Sequence, residues 1–169
     1  MLHKLHLFFA LALFFATAAT AQTTAKFGHV NFGNLLEGLT ETKQASIALE
    51  SYAASYVAKG DSLGKSLELA AAVFQEQYQS GALTPVVAQE RYAVLEKQQK
   101  DLELFEQESQ KAIAMKRQAL LQPIIEKVKK AISDVAKEGG YTMVFDTSTG
   151  ATLYALETED LAPLVLKKL

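Results

Sequence analysis

Residues 40–79 read TETKQASIALESYAASYVAKGDSLGKSLELAAAVFQEQYQ, a polar run with a thin apolar stripe. The stripe recurs at steps of three, four or seven residues, the spacing of one side of an α-helix. Its members are Leu49, Tyr52, Tyr56, Leu63, Leu67, Ala70, Phe74 and Tyr78. Gly60 and Gly64 interrupt the run, and each costs up to about 1 kcal/mol relative to Ala, so we expect a soft or bent segment there.

A turn and a second helix follow this run. Gly81 suits the end of a helix, while Thr84 followed by Pro85 suits an N-cap and a first helical position. The return helix is predicted to run from Pro85 toward Glu138. Its stripe contains Ala88, Leu95, Leu102, Phe105, Ala112 and Leu120, with Arg91, Gln98, Ser109 and Lys116 at intervening seam positions. A seam this polar predicts weak packing of one helix on the other rather than a sustained coiled coil.

Strand-like segments enclose the helical run. Residues 26–32 (KFGHVNF) alternate polar and apolar, residues 141–145 (YTMVF) form a second candidate, and residues 151–155 a third. We expect the last two to form a hairpin around residues 146–150. Thr158 is then predicted to cap a final helix.

A short helical stretch starts at Leu35, with Gly38 as a bend. Pro123 marks where the return helix is expected to enter the body. Past Pro123 the apolar face becomes wide, and Gly139 with Gly140 ends the helix. The members of that face are Ile124, Ile125, Val128, Ala131, Ile132 and Val135.

The chain is therefore predicted to be an α+β protein. A long antiparallel helical hairpin, the arm (residues 40–122, with its tip near 80–85), projects from a small β-sheet body (residues 22–39 and 123–169). Three short strands with open edges make a poor core alone. We expect oligomerisation to complete the body, as a β-sheet or barrel shared between subunits.

Residues 1–21 resemble a cleavable signal peptide. An apolar stretch over residues 7–16 follows Lys4, and Ala19-Thr20-Ala21 is a cleavage signal, which predicts a mature start at Gln22 and secretion. The chain has no Cys, which excludes a lipoprotein anchor and disulfides. Loss of Lys4 leaves a formal charge of −3, which argues against a nucleic-acid partner.

These features together resemble the OmpH/Skp family of periplasmic chaperones. The resemblance is carried by KFGHVNF at residues 26–32, by the helical excursion, by PIIEKVKKAI at residues 123–132 leading to VAKEGGY at 135–141, and by MVFD at 143–146. The resemblance implies a homotrimer with a β-barrel body and three arms around a cavity. It also implies a Gram-negative periplasm, no nucleotide cofactor, and unfolded outer-membrane β-barrel proteins as clients held without ATP.

The charge of the arm departs from the family pattern. Well-known relatives have strongly basic arms, which help them meet acidic clients and lipopolysaccharide. Residues 40–122 here hold nine basic and eleven acidic side chains. Lipopolysaccharide binding and electrostatic capture of clients are therefore doubtful, and holding would depend more on apolar and aromatic contacts.

Large apolar side chains of the arm have two interpretations. They either form a client-facing surface inside the cavity or fill the seam between the two helices, and for any single residue the seam is favoured. This set is Tyr52, Tyr56, Leu63, Phe74, Tyr78, Tyr92, Leu102 and Phe105. The candidate residues of the oligomeric body are Phe27, Val30, Phe32, Ile132, Val135, Tyr141, Val144 and Phe145.

Nothing in the sequence predicts a catalytic, cofactor or metal site. His29, the one histidine outside the leader, is interpreted as structural because no His or Cys partner accompanies it. Asp146 begins DTSTG, which is simpler as a turn than as a catalytic acid. The acidic run Glu103, Glu106 and Glu108 is interpreted as a solvated helix face.

Two other classes of function remain open from sequence. A periplasmic scaffold or adaptor would use the arm to bind one folded envelope partner, whereas a holdase prefers denatured clients. A hydrolase is the weakest alternative, since the chain has no nucleotide-binding loop, nucleophile elbow or metal-binding helix motif.

Overall fold

The computed structural model describes residues 24–169, and two long helices dominate it. In chain order the elements are β1 (Phe27–Val30), α1 (Phe32–Gly38), α2 (Thr40–Gln79), α3 (Pro85–Glu138), β2 (Met143–Asp146), a 3₁₀ turn (Glu157–Glu159) and α4 (Ala162–Leu166). The predicted signal peptide and cleavage site lie outside the described residues. The division of the chain into leader, body and arm stays a prediction.

Helices α2 and α3 form an antiparallel hairpin, as the sequence predicted. Phe74 meets Tyr92 near the turn, while Lys127 pairs with Glu41 at the opposite end, Nζ to Oε1 at 2.7 Å. At 1.5 Å per residue, the 40 residues of α2 extend about 60 Å.

The turn between the two helices has the chemistry that the sequence predicted. Gly81 has φ +70°, a left-handed conformation that favours glycine. The Thr84 hydroxyl accepts a hydrogen bond from the Val87 N–H at 3.4 Å, and Pro85 opens α3. Helix α2 continues without a break through Gly60 and Gly64, and the soft or bent segment expected there stays a prediction. Two interior glycines lower the stability of a helix but leave its backbone hydrogen bonds intact.

The sheet has two parallel strands from distant parts of the chain. Phe27 pairs with Met143 and Val30 with Asp146, and both long helices lie between the two strands in sequence. A parallel pair requires a crossover connection, and here the hairpin supplies it.

The predicted third strand at residues 151–155 is wrong, because these residues form no strand. Just after β2, the Thr147 N–H donates to the Val30 carbonyl at 2.9 Å, which continues the pairing with β1. The chain does not fold back on β2. It returns on the far edge of β1, where His29 and Asp160 form a parallel bridge.

The predicted cap of the last helix is also wrong. Thr158 lies inside the 3₁₀ turn, and α4 begins only at Ala162. The Asp160 carboxylate accepts a hydrogen bond from the Ala162 N–H at 2.9 Å, which satisfies one free donor at the start of α4.

The hydrophobic core lies where the two ends of the described chain meet. Apolar residues of β1, α1, the end of α3 and α4 surround one another. They are Val30, Leu35, Leu39, Val128, Ala131, Val135, Leu161 and Val165. The wide apolar face predicted after Pro123 therefore packs on the segments that precede the arm, and Pro123 lies inside a continuous α3.

Candidate functional site

The basal half of the arm seam is an aromatic cluster. Tyr56 stacks on Phe105 with ring centroids 6.1 Å apart, and the Tyr52 and Tyr56 hydroxyls are 3.0 Å apart. That hydrogen bond raises the pKa of Tyr56. All three rings are half-buried, so at this level they fill the seam.

Lysine side chains cover the same cluster. Lys59 Nζ is 5.1 Å from the centroid of the Phe105 ring, and Lys116 Nζ is 5.6 Å from that of Tyr52. A cation over an aromatic face is attracted by the ring quadrupole. The ammonium groups of these two lysines therefore give the basal cluster a charged rim.

The distal half of the seam is more open. Phe74 is half-buried between Tyr78 and Tyr92, with ring centroids at 5.8 Å and 6.4 Å. Tyr78 is 61% exposed and Tyr92 54% exposed, so more than half of each residue is open to solvent. Of the other predicted residues, Leu102 is half-buried and Leu63 is exposed.

Gaps interrupt the contact between α2 and α3. A cavity of about 690 Å³ opens beside Tyr56, Gly60, Gly64 and Phe105. A β-carbon on Gly64 would meet nothing within 4 Å. The glycines thus widen the seam without breaking the helix.

Sequence reasoning missed a third group of arm residues. Leu69, Val73 and Val94 lie off the predicted stripes, yet they are 68%, 48% and 55% exposed and line one apolar groove with Phe74 and Leu95. A stripe assigned to each helix separately does not reveal a groove formed by the flanks of two helices.

The body candidates separate into two groups. Val30 and Val135 are buried in the core, and Phe32, Ile132, Tyr141 and Val144 pack against it. Phe27 and Phe145 instead face outward, 48% and 43% exposed, with ring centroids 6.1 Å apart.

An exposed apolar surface continues from these two rings. Phe27 and Phe145 line a groove of about 400 Å³ together with Tyr154 and Leu156. Tyr154 is 81% exposed, and its neighbour Leu153 is 97% exposed. Apolar surface of this extent usually marks an interaction site.

Two of the polar candidates, His29 and Asp146, make contacts that support the fold. The His29 side chain bonds through Nε2 to the Leu156 carbonyl at 2.9 Å. Asp146 Oδ1 accepts from the Ser148 N–H at 2.8 Å and from the Phe32 N–H at 3.2 Å. Partial burial raises the pKa of Asp146, but these hydrogen bonds outweigh burial and lower it. Asp146 is therefore a turn residue that also bonds the start of α1.

Residues 24–169 contain no cluster of three or more His, Cys, Asp or Glu side chains that could hold a metal ion. Glu103, Glu106 and Glu108 are exposed on α3. Across the same residues, no helix is both long and apolar enough to cross a bilayer.

Comparison with known proteins gives two matches. A family model described as "Outer membrane protein (OmpH-like)" matches residues 26–169. The crystal structure of a proposed outer membrane chaperone (OmpH-like) from Caulobacter crescentus CB15 has a TM-score of 0.71 and 13% identity, covering 85% of this chain and 82% of that chain. At this identity the structural likeness shows the fold alone. No curated protein matches the chain. Because the family model covers nearly every described residue, this chain belongs to the OmpH-like family.

Proposed function

We propose that this protein is an ATP-independent periplasmic holdase chaperone that keeps unfolded outer-membrane proteins from aggregating. Membership of the OmpH-like family supports a chaperone role in general. The observation that carries the finer proposal is the arm itself. Residues 40–122 bury only Ala45, Ala88 and Ser109, while Leu63, Tyr78 and Tyr92 stay exposed.

The physical logic is multivalent weak contact. Unfolded outer-membrane chains expose alternating apolar segments that aggregate edge to edge. Exposed rings and aliphatic side chains along about 60 Å of helix offer many separate contacts. Each contact is weak and exchangeable, yet together they keep the complex long-lived. Release follows when the client reaches a deeper free-energy minimum in the membrane.

Assembly into a homotrimer with a shared β-barrel body is part of the proposal. Its support is the outward apolar surface of Phe27, Phe145, Leu153 and Tyr154 together with the outer edge of β2, which has no strand partner within residues 24–169. A second and third copy would cover this surface and extend the sheet. The arms of the three copies would then enclose a cavity.

A light-scattering assay tests the holdase. The chain from Gln22 onward is mixed with a urea-unfolded outer-membrane β-barrel protein, and the urea is diluted without nucleotide. We expect scattering to fall in proportion to added chaperone, and native mass spectrometry to show trimers with bound client. Undiminished scattering would contradict the proposal, and tight binding of a folded envelope protein instead would favour a scaffold.

A further inference from the structure

The distal third of the arm has an apolar groove that the aromatic seam does not fill. We call it the distal groove, and it is lined by the apolar residues Leu69, Ala70, Val73, Phe74, Val94 and Leu95 and by the polar residues Arg91 and Gln98. Its volume is about 370 Å³. The first two residues come from α2 and the last two from α3, so the groove runs along one flank of the hairpin.

The lining of the distal groove is mainly apolar and includes one charged side chain, Arg91. On the α2 side, residues 69–79 contain a single charged residue, Glu76, whereas Glu90, Glu96 and Lys97 accompany Arg91 on α3. The Arg91 guanidinium donates to the Gln77 side-chain oxygen. A partner that fills the groove therefore brings mainly apolar side chains.

The spacing of side chains along the groove matches an extended chain. Leu69 and Val73 are four residues apart on one helix, which separates them by about 6 Å along its axis. Side chains on one face of a β-strand are two residues apart, or roughly 6.6–6.8 Å. The two spacings agree within about 1 Å, so two or three successive contacts fit before the registers drift apart.

The size of the groove argues against a folded partner or a second copy. Its exposed side chains, Leu69, Val73 and Val94, offer at most a few hundred Å². A stable protein interface buries about 800 Å² on each partner. A short segment of flexible chain needs far less, because other contacts on the same chain hold it nearby.

We propose that the distal groove binds extended polypeptide segments whose apolar side chains occupy every second position. The proposal rests on the holdase function above and names the feature of the client that one part of the arm recognises. Unfolded strands of outer-membrane barrels have this alternation. Selection by side-chain period would let a weakly acidic arm distinguish such strands from helix-forming chains.

Two peptides of identical composition test the proposal. In one, apolar residues occupy every second position, and in the other they follow helical spacing. Fluorescence anisotropy with the assembled protein from Gln22 onward is expected to show binding of the alternating peptide about tenfold tighter, the equivalent of roughly 1.4 kcal/mol. Equal affinity, or no binding of either peptide, overturns the proposal.

Matched variants locate the binding surface. The triple variant Leu69→Gln, Val73→Gln and Val94→Gln removes the groove, and the control Ile47→Gln, Leu104→Gln and Met115→Gln removes three apolar side chains of similar exposure elsewhere on the arm. We expect the first to lose most of the tenfold preference and the control to keep it. Equal losses in both variants overturn the proposal.

Methyl NMR on the unmutated protein provides a measurement that does not depend on variant folding. The alternating peptide is expected to shift the methyl signals of Leu69, Val73 and Val94 and to leave those of Ile47 and Met115 unchanged. The reverse pattern overturns the proposal. Failure of the holdase function is seen separately, as undiminished aggregation of the client with the unmutated protein. If only the groove proposal fails, the groove variant still suppresses aggregation of the client.

Discussion

The body and the arm bury their side chains to very different extents. In the body, Val128, Leu161 and Val165 are at most 1% exposed, and five further apolar residues share their core. In the arm, the buried side chains are small, two Ala and one Ser, while the large aromatic rings are half-buried or exposed.

This difference separates the part that holds the fold from the part that is available to partners. Apolar burial supplies most of the favourable free energy of folding. The arm has one polar seam with gaps, so its helices depend on the body for stability. Regions with few buried contacts also open with the lowest free energies.

The largest expected effect is loss of a core side chain in the body. Leu161→Ala would leave a cavity among β1, α3 and α4, at a cost of about 2–5 kcal/mol. Leu104→Ala in the arm, at a residue 54% exposed, should change stability by about 0.5 kcal/mol or less. Urea unfolding at fixed protein concentration measures both, and equal effects would remove the distinction between body and arm.

A glycine in the body is expected to resist substitution. A β-carbon on Gly28 would lie 2.7 Å from Leu161 Cδ1 and 3.1 Å from the Tyr141 ring. Because Leu161 is fully buried, it cannot move aside freely, and overpacking of this kind costs about 1–3 kcal/mol. Gly28→Ala should lower the urea midpoint, and an unchanged midpoint would mean that the body is looser than the structure indicates.

The same substitution in the arm should have the opposite sign. Gly64 lies inside α2 with open space where a β-carbon would be, so Gly64→Ala gains helix propensity of up to about 1 kcal/mol. Circular dichroism during thermal unfolding is expected to show a higher midpoint. A lower midpoint would indicate that α2 must bend at this position in the assembled protein.

The smallest expected effect is the dependence of stability on acidic pH that comes from Asp146, whose carboxylate links β2 to the start of α1. The folded-state pKa of Asp146 lies below its usual value of 3.8, so its ionised form stabilises the fold above that pH. The contribution is lost as the pH falls through the lower folded-state pKa. Asp146→Asn should flatten the dependence of the urea midpoint on pH below about 4. A dependence as steep as in the unmutated protein would assign acid sensitivity to other carboxylates.

Local chemistry made much of the fold predictable. Thr84, Pro85 and Gly139 have strong helix-end preferences, so both ends of α3 followed from residue type. The apolar face around Val128 and Val135 was visible because one wide stripe has one consistent period. These features depend on neighbours in sequence, which a single chain displays directly.

Features that depend on distant neighbours were harder to predict. The apolar composition of residues 151–155 is compatible with a strand, but nothing local revealed that the chain would return to the far edge of β1 at Asp160. Likewise, Leu69 and Val94 belong to different helices, and only their packing creates a groove. Whether Tyr52 and Tyr56 face a client or the seam depended on the same kind of contact.

Hydrogen exchange with and without an unfolded outer-membrane barrel tests the division of labour between body and arm most directly. We expect the amides of residues 128–135 to exchange slowest in both states, and those of residues 69–95 to exchange quickly alone and more slowly with client. The account would be contradicted if the arm amides of the free protein were as protected from exchange as those of the core. It would also be contradicted if the client slowed exchange in the body and left exchange of residues 69–95 unchanged.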